Sequence, residues 1–218
     1  MEEAEKAFQE VLHRIGASKR TALEKKAFST IARLIFYNGL EQKEITNIRI
    51  GDVLQGDSIL AEITPTPGNG TTHLSEEVKQ ALDDYLRELK PNRDFSITPD
   101  SLLFPAYEGE NGVRQLHRHF KPFLGFLTFD DLRRAGADHY YKTLIGNGVD
   151  LLEAAKETAR QFRLQERTVG DISKGTTQRA GKKAPEIQPS WERIQLHSRN
   201  LLKNPLNIQL VMRDALER

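Results

Sequence analysis

Leu34-Ile35-Phe36-Tyr37-Asn38-Gly39-Leu40-Glu41-Gln42-Lys43-Glu44-Ile45-Thr46-Asn47-Ile48-Arg49-Ile50-Gly51-Asp52-Val53 decides how the rest of the chain is read. Its first part ends an apolar helix: Phe28, Ile31, Ala32 and Ile35 recur at helical spacing, and Gly39 is a stop. Its second part holds a short helical piece from Glu41 to Ile48, and Gly51-Asp52 then turns the chain. Upstream, Phe8, Val11, Leu12 and Ile15 form another helical stripe, closed by Gly16. Downstream the period changes. Ser58 to Thr64 alternates and is rich in β-branched residues, which predicts a strand. Pro65-Thr66-Pro67-Gly68-Asn69-Gly70 is a turn signal, and Thr71 to Leu74 is the expected partner strand of a small ribbon.

Beyond the ribbon the helical period returns. Ser75 is an N-cap for a helix carrying Val78, Ala81, Leu82 and Tyr85 and closed before Pro91. Residues 91–110 read as loop around an apolar knot, Leu102-Leu103-Phe104-Pro105. Val113, Leu116, Phe120 and Phe123 mark a further helix, and two more are predicted near 130–145 and 149–161. Residues 174–190 are polar, basic and poor in large apolar side chains, as in a linker or arm. Residues 191–218 carry Trp191, Ile194, Leu206, Leu210 and Val211 in a C-terminal helical segment, with Asn204-Pro205 opening its last helix. The expectation is a mostly α domain over 1–173 with a small antiparallel β-ribbon, a basic linker over 174–190 and helices over 191–218.

Composition narrows the function classes. The 218 residues have no cysteine, which excludes disulfides and thiolate metal sites and fits a reducing compartment. No apolar run is long enough to span a bilayer, and Met1-Glu2-Glu3-Ala4-Glu5 is acidic where a secretory leader is basic, so the expected location is cytoplasmic, with no membrane partner. The net charge is +1, so any nucleic-acid affinity must come from basic residues gathered on one face. His117 and His119 stand two apart on a helix and point to different faces, so they are not a metal pair. Gly68-Asn69-Gly70-Thr71-Thr72 lacks the lysine and the spacing of a phosphate-binding loop. No metal and no cofactor is expected.

Five pieces, in order, resemble the catalytic domain of the tyrosine recombinases, or phage integrases, over roughly residues 20–170. They are the opening stretch around Gly39-Leu40-Glu41 and Asp52; the ribbon leading to Leu74-Ser75-Glu76-Glu77-Val78; Leu103-Phe104-Pro105; Thr128-Phe129-Asp130-Asp131-Leu132-Arg133-Arg134, similar to the family's His-x-Leu-Arg box; and Gly148-Val149-Asp150-Leu151. The resemblance implies the recombinase catalytic-domain fold. In that family two arginines clamp the scissile phosphate, a ribbon lysine and a His or Trp assist, and a tyrosine attacks phosphorus.

Here the catalytic set is largely missing. Glu41 stands at the first arginine's position and Asp130 at the histidine's; the ribbon from Thr64 to Thr72 has no lysine. Arg160 falls near the later His position and Val169 near the nucleophile, while Tyr141 is the chain's last tyrosine. A carboxylate repels phosphate and donates no bidentate hydrogen bond. Without a nucleophile there is no covalent step. The resemblance therefore implies a DNA-binding protein with no recombinase activity, a transcriptional or accessory factor of a mobile element.

The residues expected to touch double-stranded DNA are Arg114, His117, Arg118, Lys121, Arg133, Arg134, Arg160 and Arg163. Arg133, the survivor of the catalytic set, has two open readings: a phosphate ligand, or an internal ion pair with Glu41 or Asp130. The ribbon either enters a groove or is a stiff surface turn. The C-terminal helices are expected to support a homo-oligomer. The competing expectation is a protein-interaction module that partners another recombinase or regulator without touching DNA.

Overall fold

Thr21 opens the central helix. Its hydroxyl accepts from the Glu24 backbone N–H while the Glu24 carboxylate accepts from the Thr21 N–H at 3.0 Å, which satisfies two orphan donors of the first turn. The structure, a computed structural model, describes residues 3–65, 70–89, 98–109 and 111–164. In chain order the elements are α1 (Glu3–Ala17), α2 (Ala22–Asn38), α3 (Gln42–Asn47), β1 (Leu54–Gln55), β2 (Ser58–Ile59), β3 (Glu62–Ile63), β4 (Thr72–His73), α4 (Glu76–Leu89), α5 (Gly112–Leu124), α6 (Phe129–Gly146) and α7 (Leu151–Phe162). The described residues are mostly helical, with small two-stranded antiparallel sheets.

From Phe28 onward α2 is mostly apolar because it is surrounded. Phe28, Ile31, Ala32, Leu34, Ile35 and Phe36 are all buried, and α1, α4 and α6 pack around the helix. Phe8 of α1 stacks on Phe36 with ring centroids 4.2 Å apart. Thr30 donates to the Ala81 carbonyl at 3.0 Å and so fixes α2 against α4. α6 approaches through Gly136, where a Cβ would stand 1.7 Å from the Phe36 carbonyl oxygen. On α5, Leu116, Phe120 and Phe123 face inward; Phe123 lies 4.9 Å from Phe28 and Phe120 5.1 Å from Phe129. A satellite cluster of Tyr141, Ala154 and Ala155 joins α6 to α7.

The ribbon differs from its sequence reading. Residues 58–64 do not form one strand. Gly56, at φ 61, turns the chain between β1 and β2, and Ser58 and Ile59 pair back onto Gln55 and Leu54. The direction then shifts at Leu60 and Ala61, and β3 pairs with β4 in the register Glu62↔His73 and Ile63↔Thr72. The expected ribbon partner is therefore right for the second half of the segment, while the first half has a local partner that alternation cannot reveal. The apolar knot is also more ordered than a loop: Leu103 N–H donates to the Ile48 carbonyl at 2.9 Å, Ile50 N–H to Ser101 at 2.9 Å, and the Tyr85 hydroxyl to Leu103 at 2.9 Å.

The ribbon tip at 66–69, the basic segment 174–190 and the C-terminal segment 191–218 lie outside the described residues. Among the described residues no helix is long and apolar enough to cross a membrane.

Candidate functional site

Two arginines from distant parts of the chain meet where α2 ends. A helix leaves its last carbonyls without intrahelical donors, and here Tyr37, Asn38 and Gly39 receive theirs from side chains. Arg133 of α6 donates from Nε to the Gly39 carbonyl at 2.8 Å and from Nη2 to the Phe162 carbonyl at 2.7 Å. Arg163, just past α7, reaches the Asn38 carbonyl at 3.3 Å and the Gly39 carbonyl at 3.1 Å. Gln161 donates to the Tyr37 and His73 carbonyls and accepts from the His73 N–H. Gly39 is confined from both directions: its φ is 61, and a Cβ would stand 2.6 Å from the Phe162 ring.

Each arginine also meets a carboxylate. Arg163 Nη2 lies 2.7 Å from Glu44 Oε2, with side chains 8 % and 7 % exposed. Arg133 Nη1 lies 3.2 Å from Glu41 Oε1, with Arg133 16 % exposed. Glu44 also accepts the Glu41 backbone N–H at 2.8 Å, so the same carboxylate opens α3 and neutralises Arg163. Of the two readings of Arg133, the geometry gives the internal ion pair, with Glu41; Asp130 pairs with Arg134 instead, at 2.8 Å. Arg133 and Arg163, two of the residues expected to touch DNA, have both guanidinium groups pointing inward, held by carbonyls and carboxylates of the chain itself.

Arg134 and Arg160 are exposed but locally paired, Arg134 with Asp130 and Arg160 with Glu157 at 2.9 Å. The other four predicted residues fall together on the outward side of α5. Arg114, His117, Arg118 and Lys121 are all exposed. Among the described residues, none of Arg114, Arg118 and Lys121 has a carboxylate within ion-pair distance. Arg118 has a weak contact of 3.5 Å to His119. His117 lies over Phe129 at a centroid distance of 5.9 Å, which anchors its ring against the start of α6. Arg114 and His117, with Gln42, Asn111 and Val113, line an open depression between α3 and α5.

Among the described residues no group of three or more His, Asp or Glu side chains is placed to hold a metal ion. Sequence reasoning missed the part of Gln161 and Asn38 in the arginine hub. It also missed the exposed ring of Phe126 beyond the end of α5. Comparison with protein-family models, with curated proteins and with solved structures gives no match to this chain.

Proposed function

We propose that this chain binds double-stranded DNA through the outward face of α5 and does not cut it, on a scaffold of the tyrosine-recombinase catalytic-domain type. The observation that carries the reading is the row of Arg114, Arg118 and Lys121, which have no carboxylate within ion-pair distance among the described residues, joined by His117. Cations already neutralised by neighbouring carboxylates gain little from phosphate, whereas unpaired ones release counterions when they meet a backbone. The scaffold reading is supported by the meeting of Glu41 and Arg133, which lie 92 residues apart in sequence. The resemblance requires these two positions to share a pocket.

The same pocket supports the absence of cleavage. An arginine that clamps phosphate must present donors to it, and Arg133 directs one donor from each of its three nitrogens to Gly39, Glu41 and Phe162. Tyr141, the last tyrosine, is buried in the satellite core. A protein of this kind suits a transcriptional or accessory role at a mobile element, where DNA is held and another protein reacts.

A gel-shift series over salt concentration tests the binding. The expected result is a shift at low salt that weakens steeply as salt rises; no shift of any duplex at low salt rejects the proposal and favours the protein-interaction module. Incubation with a nicked suicide duplex is expected to give no covalent adduct.

A further inference from the structure

Phe126 is 80 % exposed, more than the other exposed large apolar residues among those described, Leu151 and Leu152 at the start of α7. The loop that carries it is held at both ends. Gly125 closes α5 at φ 62 and lies so close to Arg14 that a Cβ would stand 2.0 Å from Nη1. Leu127 N–H donates to the Leu124 carbonyl at 3.1 Å. Thr128 then opens α6 with a capping box, its N–H donating to Asp131 Oδ2 at 2.9 Å. Phe126 is thus a projection from a braced turn.

The helix that leads to it carries three exposed cations. Arg114, Arg118 and Lys121 stand at i, i+4 and i+7, on one line of α5 that spans about 10 Å at the helical rise. Gly125 ends the helix at φ 62 and ψ −111, and Phe126 follows it directly in the chain. An apolar protein partner would call for a contiguous apolar patch. The exposed residues leading to Phe126 are instead Arg118, Lys121, Pro122 and Gly125. Cations without an ion-pair partner among the described residues, followed a few residues on by a bare aromatic ring, match a nucleic-acid strand, with phosphates on the cations and a base on the ring.

We infer that Phe126 is a base-stacking residue, and that the preferred ligand is duplex DNA interrupted by an unpaired base, as at a gap or flap. This rests on the reading of α5 as the DNA-binding face. In an intact duplex each base is already stacked on its neighbours, so the ring finds no free face unless it forces a step apart. An unpaired base offers its face without that cost.

The test uses the full chain, wild type and Phe126→Ala, in fluorescence-anisotropy titrations against an intact duplex and the same duplex with a short gap. A 2-aminopurine placed in the gap reports stacking through loss of its fluorescence. The wild type is expected to bind the gapped duplex about 5- to 100-fold more tightly than the intact one, the range that one stacked base supplies, and to quench the 2-aminopurine. Phe126→Ala is expected to lose both effects while keeping its intact-duplex affinity and salt dependence. Equal wild-type affinity for the two duplexes, or a gap preference that survives Phe126→Ala, overturns the inference and leaves the α5 reading standing. Failure to bind either duplex overturns both.

Discussion

Arg163 illustrates how much one residue can decide. It adopts φ 51, the one positive φ outside glycine among the described residues, and its guanidinium is buried against Glu44. Removing one member of such a pair strands the other charge in the interior. Arg163→Ala and Glu44→Ala are each expected to cost about 3–5 kcal/mol in urea unfolding. Arg163→Gly loses the same pair but relieves the left-handed backbone, so it should be more stable than Arg163→Ala by about 1 kcal/mol. The sequence shows Arg163 as one more basic residue in a basic region. Its partner lies 119 residues away, and no local pattern tells an inward arginine from an outward one.

Two phenols make the alkaline limb of stability a residue-scale prediction. Burial pushes the Tyr37 hydroxyl up to about 12, with Glu5 and Glu77 adding to the effect and Arg33 opposing it. Burial likewise pushes Tyr107 up to about 12. A folded-state value above the unfolded one near 10 means the fold favours the neutral phenol. That stability is intact below pH 10 and is lost as pH rises towards 12. Absorbance titration at 295 nm should show part of the tyrosine signal delayed to about pH 12 or released abruptly with unfolding. Every tyrosine ionising near pH 10 in a protein that remains folded is the contrary result.

Among the elements, helices were legible and strand pairing only in part, since β3 has its expected partner in β4 and β2 does not. The α5 stripe of Leu116, Phe120 and Phe123, the Gly39 stop and the Ser75 start all appear in the folded chain, because each depends on neighbours within a turn. The segment 58–64 was misread because alternation gives the period of a strand but not its partner, and Gly56 supplies β2 with a nearer one. Helix contact adds a constraint that spacing does not show. Gly136→Ala drives a methyl group into the backbone of α2 and is expected to destabilise by about 3 kcal/mol or more. Gly16→Ala in α1 meets nothing within 4 Å and should be neutral or stabilise by up to about 1 kcal/mol. In thermal and urea unfolding Gly136→Ala should be clearly destabilised and Gly16→Ala should not; equal destabilisation would refute the close approach of α2 and α6.

For the whole molecule, charge is balanced in total and uneven in place. A net charge of +1 hides arginines folded inward at the end of α2 and cations left unpaired on α5. The sequence identified the basic residues, since all eight expected contacts are Arg, Lys or His. It did not sort them, because sorting requires the carboxylates Glu41 and Glu44 to be brought to Arg133 and Arg163 by the fold. What remains after sorting is a narrow face, and binding by such a face should depend strongly on salt and weakly on sequence.

The most direct measurement is the slope of log affinity against log salt for duplex binding by wild type, by the triple variant Arg114→Gln/Arg118→Gln/Lys121→Gln and by the double variant Arg134→Gln/Arg160→Gln. Each phosphate contact contributes about 0.9 to that slope. The triple variant is predicted to flatten it by about 3 units, and the double variant by less than about 1. A triple variant with the wild-type slope, or a wild type that binds no duplex, contradicts the α5 interface.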